Sequence, residues 1–185
     1  MASKAVENLV RRVFKHRGLI GFAAYLVVFW VSRPGILTCL AALPVLAAGL
    51  GLRFWAMGYI GRCARSGEVE AERLVAGGPF RWFKLRRRSA AGHPLYVGNF
   101  LLTAGILIAL NAHVLLSLAV IMLFCVEYGL MASAEEAYLS RRRHELVKDS
   151  SGFGLRRALV EWRTWIVTAA AWGFALGRAL LSWGG

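Results

Sequence analysis

Long apolar runs separated by basic segments constrain this chain more than any other feature of its sequence. The runs cover residues 19–31, 36–60, 94–110, 114–134 and 165–183. Of the 185 residues, 58% are hydrophobic and only 18% are charged, whereas soluble domains carry roughly 25% charged residues. The sequence therefore predicts an all-α integral membrane protein with about five transmembrane helices.

The basic residues predict how these helices are oriented. Segments 1–17, 61–92 and 135–163 contain five, eight and seven of the 23 lysines and arginines. Because cytoplasmic loops are enriched in Lys and Arg, we expect a multi-pass membrane protein whose N-terminus and long loops are cytoplasmic. The net charge of +13 then indicates contact with anionic membrane lipids, and no nucleic-acid partner is expected.

The whole chain, residues 1–185, is expected to form a single membrane domain. Segment 5–14 has apolar residues at helical spacing and predicts an amphipathic helix at the membrane interface. Residues 1–60 would combine this helix with a helical hairpin, residues 61–158 would form a catalytic core with cytoplasmic loops, and residues 159–185 would form the last transmembrane helix. The cysteines and histidines lack the spacing of a disulfide framework or of a metal site.

The most distinctive polar pattern is GHPLYVGN at residues 92–99. Proline is favoured at the first position of a helix, so a helix is predicted to begin at Pro94, with free backbone N–H groups that can bind an anion. Gly98 and Gly105 would allow close approach of another helix or of a ligand. A capped helix with a glycine packing face also fits the pattern. The side chains expected to share one face of this helix are His93, Tyr96, Asn99 and Thr103.

Three glutamates belong to the fourth apolar run or follow it directly. Glu135 and Glu136 follow its end, where a carboxylate opposes the helix dipole and requires a positive or hydrogen-bonding partner. That partner is either the arginine run 141–143 or a ligand. Glu127 lies inside the run, where an ionisable group is costly. It is either paired with Arg53 or faces a substrate.

In this order, the motifs resemble the isoprenylcysteine carboxyl methyltransferase family, which is related to phospholipid methyltransferases. That family shows Leu-Val-x-x-Gly-Pro-Tyr-Arg, Arg-His-Pro-x-Tyr-x-Gly, a membrane hairpin and a Glu-Glu pair. The counterparts here are LVAGGPFR at 74–81, GHPLYVG at 92–98, a hairpin turn at Asn111 and the pair Glu135-Glu136. The resemblance covers roughly residues 74–139.

The resemblance implies S-adenosylmethionine as methyl donor, bound in a cytoplasmic cofactor site. The acceptor is expected to be lipidic or prenylated, with carboxyl O-methylation or headgroup N-methylation as the two possible reactions. Arg157 or Arg163 would clamp a carboxylate acceptor, whereas Glu127 or Glu161 would serve an amine acceptor. The residues expected to bind the donor are His93, Pro94, Tyr96, Gly98, Asn99, Glu135 and Glu136.

Three departures separate the chain from the family pattern. Gly92 replaces the arginine before His-Pro, residues 82–92 form a basic insertion, and the usual aromatic tail after Glu136 is missing. Two other functions stay open: an NADPH-dependent membrane reductase of the sterol-reductase type and a non-catalytic membrane scaffold. The Ala-, Arg- and Gly-rich composition favours a bacterial cytoplasmic membrane and a lipid or other small apolar acceptor. No obligate protein partner is inferred.

Overall fold

The architecture is helical along nearly the whole part of the chain that the computed structural model describes. It describes residues 19, 21–60, 73–75, 78–81, 93–141, 147–149 and 152–183. Within these ranges there are five helical segments, one pair of short strands and a 3-10 turn at Gly78–Arg81. The amphipathic helix predicted at residues 5–14 lies outside the described residues.

The helical segments follow the predicted apolar runs. The first four are α1 (Gly21–Val31), α2 (Ile36–Ile60), α3 (Pro94–Ala109) and α4 (Val114–Arg141). The fifth consists of α5 (Leu155–Ala158), a 3-10 turn (Leu159–Glu161) and α6 (Trp162–Trp183). The fourth segment extends beyond its apolar run, because the polar residues after 134 continue the same helix.

Three of these segments are long and apolar enough to cross a membrane. They are Ile36–Ile60, Val114–Ala137 and Leu155–Trp183. At about 1.5 Å per residue, the 25 residues of α2 reach ~37 Å, whereas the 16 residues of α3 reach only ~24 Å. The expectation of five spans is thus refined to three long helices and two short ones, α1 and α3. α1 ends at a turn that contains a proline, and α3 ends at a turn that contains an asparagine.

The turn between α3 and α4 shows how the sequence ends a helix. Asn111 has a positive φ of 48°, which asparagine tolerates better than most residues. The backbone N–H of Ala112 donates to the carbonyl of Leu107 at 3.1 Å, and that of Asn111 donates to Ile108 at 2.9 Å. This is a Schellman motif, which satisfies the last carbonyls of α3. It lets α4 return antiparallel beside α3.

Glycines bring α2 and α3 into close contact. A Cβ added to Gly98 would lie 2.5 Å from Cγ of Arg53, and one added to Gly105 would lie 2.5 Å from Cδ2 of Leu46. A Cβ added to Gly49 would lie 3.1 Å from the carbonyl oxygen of Gly98. Small residues permit this approach in membrane helix pairs, where van der Waals packing drives association. Among the described elements, α2 and α3 make the most extensive contact.

Polar contacts attach α1 to this pair and α6 to α1. The hydroxyl of Tyr25 on α1 donates to Oγ1 of Thr103 on α3 at 3.0 Å. Arg178 on α6 donates to the backbone carbonyls of Phe29 and Ser32, at the C-terminal end of α1. A cation at a helix C-terminus is favourable, because the unpaired carbonyls there carry partial negative charge.

A parallel pair of strands joins the two long loops. β1 (Arg73–Val75) follows α2 and β2 (Val147–Asp149) follows α4, and Leu74 pairs with Lys148 in the ladder. Both loops therefore leave the bundle at the same end. This is also the end at which α3 begins.

Packing at Gly105 predicts a cost for any larger side chain there. Gly105→Val would press against the buried Leu46 and should lower the free energy of unfolding by about 1–3 kcal/mol, as overpacking does. Thermal unfolding in detergent micelles measures this as a lower Tm. The matched control is Gly51→Val on α2, because a Cβ on Gly51 meets nothing within 4 Å. Equal Tm values for the two variants would contradict the packing argument.

Candidate functional site

The start of α3 and the last turns of α4 form a polar cluster at the loop end of the bundle. Glu135 and Glu136 lie inside α4, which continues to Arg141. They lie at the end of the membrane-length apolar stretch Val114–Ala137, as expected, but the helix itself continues beyond them. As a result, Glu135 projects from the side of α4 toward α3.

One carboxylate oxygen of Glu135 has two partners on α3. The hydroxyl of Tyr96 donates to Oε2 at 3.0 Å, and Nδ1 of His93 lies 3.4 Å from the same oxygen. The rings of His93 and Tyr96 are parallel, with centroids 5.2 Å apart. Within the described part of the chain, no lysine or arginine forms an ion pair with Glu135. Its side chain is 31% exposed, so this carboxylate is accessible from outside the bundle.

His93 presents a buried nitrogen to this cluster. Its side chain is 7% exposed, and its Nε2 atom has no hydrogen-bond partner among the described residues. A buried polar atom without a partner costs about 1–3 kcal/mol. His93 also lies at the N-terminal end of α3, where Pro94 occupies the first helical position. A ligand with a hydrogen-bonding group would satisfy this nitrogen.

Aromatic rings of α4 complete one side of the cluster. The ring of Tyr128 meets that of Tyr96 edge to face at 5.0 Å, and it stacks on Phe124 at 4.0 Å. Aromatic faces attract cations through their quadrupole. The cluster therefore combines a carboxylate with π-surfaces, which suits a positively charged ligand.

A buried ion pair lies behind the aromatic side. The guanidinium of Arg53 on α2 donates to both carboxylate oxygens of Glu161 at 2.9 to 3.1 Å. Glu161 is 1% exposed and Arg53 is 14% exposed. The predicted pairing of Arg53 with Glu127 is not observed, because Arg53 pairs with the carboxylate of Glu161. Glu127 lies buried on α4.

Asn99 links this ion pair to the aromatic side. Its Oδ1 accepts a hydrogen bond from Arg53, and its Nδ2 donates to the hydroxyl oxygen of Tyr128 at 2.9 Å. Asn99 therefore contacts α2 and α4 together. A continuous chain of polar contacts runs from Glu161 to Tyr128.

The other predicted site residues have different surroundings. The space beside Gly98 is filled by α2, so Gly98 serves helix packing. Arg157 donates to the carbonyls of Tyr59 and Gly152, and exposed Arg163 lies over the ring of Trp162 at 5.4 Å. The structure thus brings together His93, Tyr96, Asn99 and Glu135, and it gives the two arginines contacts elsewhere.

Sequence reasoning missed Tyr128 and Phe124 because both lie within a continuous apolar run. A signal was present, since Phe124, Tyr128 and Glu135 are spaced by four and seven residues and share one helical face. For Glu161, the sequence predicts only a role as an anion or base toward an amine acceptor. Its pairing with Arg53 requires knowing that α6 begins beside α2.

Comparison with known proteins adds no relative. No family model, no curated protein sequence and no solved structure matches this chain. The geometry of the cluster, together with the three helices that are long and apolar enough to cross a membrane, is therefore the basis for a function.

The buried pair predicts a large effect when one partner is removed. Glu161→Gln would leave the guanidinium of Arg53 buried without a carboxylate and should cost about 3–5 kcal/mol of stability. Chemical unfolding in mixed micelles measures this cost. The control is the double variant Arg53→Met with Glu161→Met, which buries no charge and should cost less than the single variant. A single-variant cost below about 1 kcal/mol would indicate a well-solvated pair.

Proposed function

We propose that this protein is an S-adenosylmethionine-dependent integral membrane methyltransferase that acts on a lipidic acceptor. The observation that carries the proposal is the carboxylate of Glu135, which is shared by Tyr96 and His93 and forms no ion pair with a lysine or arginine among the described residues. The motifs that resemble membrane methyltransferases contain these same three residues.

The chemistry of the cluster fits a ligand that carries positive charge. Glu135 can accept hydrogen bonds from an ammonium group or from ribose hydroxyls, and charge-assisted bonds of this kind are the strong ones. The rings of Tyr96 and Tyr128 can face a sulfonium group. The donor has an ammonium and a sulfonium, so two of its groups have candidate partners here.

The buried nitrogen of His93 provides a test of fit that is independent of charge. Its Nε2 requires a hydrogen-bond partner, and the donor carries amine, hydroxyl and adenine N–H groups. The donor's carboxylate fits the N-terminal end of α3, where the helix dipole favours anions. When bound, the donor supplies an electrophilic methyl group, while the residues of the chain bind and orient it.

The membrane setting supports a lipidic acceptor. Three helical segments are long and apolar enough to cross a bilayer, and the polar cluster lies at the end where the basic loops leave the bundle. We therefore propose that the donor enters from the cytoplasm and that the acceptor enters from the bilayer. In this reading Arg157 and Arg163 contact the anionic headgroup region. Rate enhancement would come chiefly from positioning of the two reactants.

Isothermal titration of S-adenosylmethionine into the purified protein tests donor binding. Glu135→Gln removes the negative charge at constant size and should weaken binding by at least tenfold, or about 1.4 kcal/mol. Tyr59→Phe is the control, because Tyr59 packs on Phe153, outside the cluster. Equal affinities for wild type and Glu135→Gln would contradict the proposal, because the carboxylate of Glu135 would then contribute nothing to donor binding.

Incubation of membranes with methyl-tritiated donor identifies the acceptor. We expect label in the lipid extract. Alkaline hydrolysis releases volatile label from a methyl ester but not from a methylated amine, so it distinguishes O-methylation from N-methylation. If the protein binds NADPH tightly and does not bind the donor, the result favours a reductase over a methyltransferase. If no label is incorporated and neither the donor nor NADPH binds, the remaining interpretation is a non-catalytic membrane scaffold.

A further inference from the structure

We propose that Tyr128 is a ligand-contacting residue of this site and that Arg53 is its positioning residue, acting through Asn99. The inference rests on the proposed function, because it adds residues to the same site. It is carried by the chain of polar contacts from Glu161 through Arg53 and Asn99 to the hydroxyl of Tyr128.

The first step is that Arg53 is held in one position. Its Nε and one terminal nitrogen donate to the two oxygens of Glu161, and the carboxylate is nearly inaccessible to water. A bidentate pair of this kind fixes the plane of the guanidinium as well as its distance. Its stem passes over Gly98, where any side chain would collide with Cγ of Arg53. The remaining terminal nitrogen therefore points at Asn99.

The second step is that Arg53 decides the orientation of the Asn99 amide. A guanidinium has donors only, so the atom of Asn99 that faces it must be the carbonyl oxygen Oδ1. The opposite atom, Nδ2, then points at α4 and donates to Tyr128. Without the cation, the amide could turn over and present Oδ1 to the tyrosine.

The third step is the consequence for Tyr128. Its hydroxyl oxygen accepts from Nδ2, so the hydroxyl hydrogen is directed away from Asn99. Its ring stacks on Phe124 and meets the ring of Tyr96 edge to face. Both the ring plane and the hydroxyl are thus defined before a ligand binds. Pre-organised groups of this kind lower the ordering cost of binding.

A purely structural role would not require this arrangement. Replacing a buried ion pair by apolar side chains is often neutral or stabilising. The part of the network that fixes a direction consists of two hydrogen bonds, from Arg53 to Asn99 and from Asn99 to Tyr128. Its effect should therefore be visible at Tyr128 in a protein that remains folded.

The experiment places 3-fluorotyrosine at position 128 and records the ¹⁹F NMR resonance in detergent micelles, together with titration of S-adenosylmethionine. Asn99→Leu and the charge-free double variant Arg53→Met with Glu161→Met should each shift the resonance and weaken donor binding by about fivefold to tenfold. Arg53→Lys should do the same, because an ammonium cannot hold both Glu161 and Asn99 in a planar fork. The control is Tyr59→Phe, which lies against Phe153 outside the cluster and should change neither the resonance nor the donor affinity.

The outcomes separate the two parts of the inference. A resonance that stays in place in both Asn99→Leu and the double variant overturns the positioning role. A shifted resonance with unchanged donor affinity overturns the assignment of Tyr128 to the ligand site. If the wild-type protein binds no donor at all, the proposed function fails, and the ¹⁹F resonance still decides whether Arg53 positions Tyr128.

Discussion

The close packing of α2 on the glycine side of α3 is the contact on which the rest of the structure depends. Because Gly98 has no side chain, the stem of Arg53 can lie across α3 and reach Asn99. The same close approach sets Arg53 beside the first turns of the last helical segment, where Glu161 meets it. A single missing Cβ thus permits an ion pair and a hydrogen bond that join three helices.

Helix α3 consequently has two sides with different tasks. Its glycine side packs on α2, and its polar side makes one specific contact after another with α1 and α4: Thr103 with Tyr25, Asn99 with Tyr128, and Tyr96 with Glu135. In an apolar surrounding each polar group is costly until it is paired. The contacts therefore define how the helices sit against one another, and they assemble the candidate site as part of the same packing.

Local signals in the sequence were sufficient for the bounds of α3 and insufficient for the partners of its residues. Pro94 and Asn111 mark the two ends of α3, because proline favours the first helical position and asparagine tolerates a positive φ. The pairing of Arg53 with Glu161 spans 108 residues. A sequence pattern shows how deep a charged residue lies along its own helix, but not which helix lies beside it. The sequence therefore indicated Glu127 as the partner of Arg53. That His93, Tyr96, Asn99 and Thr103 lie on one face of α3 was predictable, because it follows from helical spacing alone.

The two carboxylates of the network differ in what they can attract. Glu161 is paired with the guanidinium of Arg53 through both carboxylate oxygens and is almost fully buried, so its charge is neutralised within the bundle. Glu135 has a tyrosine hydroxyl and an imidazole as its described partners, and part of its side chain is accessible. A cationic ligand would therefore gain more binding free energy at Glu135 than at Glu161, because at Glu135 it would replace the water around an accessible carboxylate. In the proposed methyltransferase, the deeper ion pair would hold the site in shape and the outer charge of Glu135 would attract the ligand.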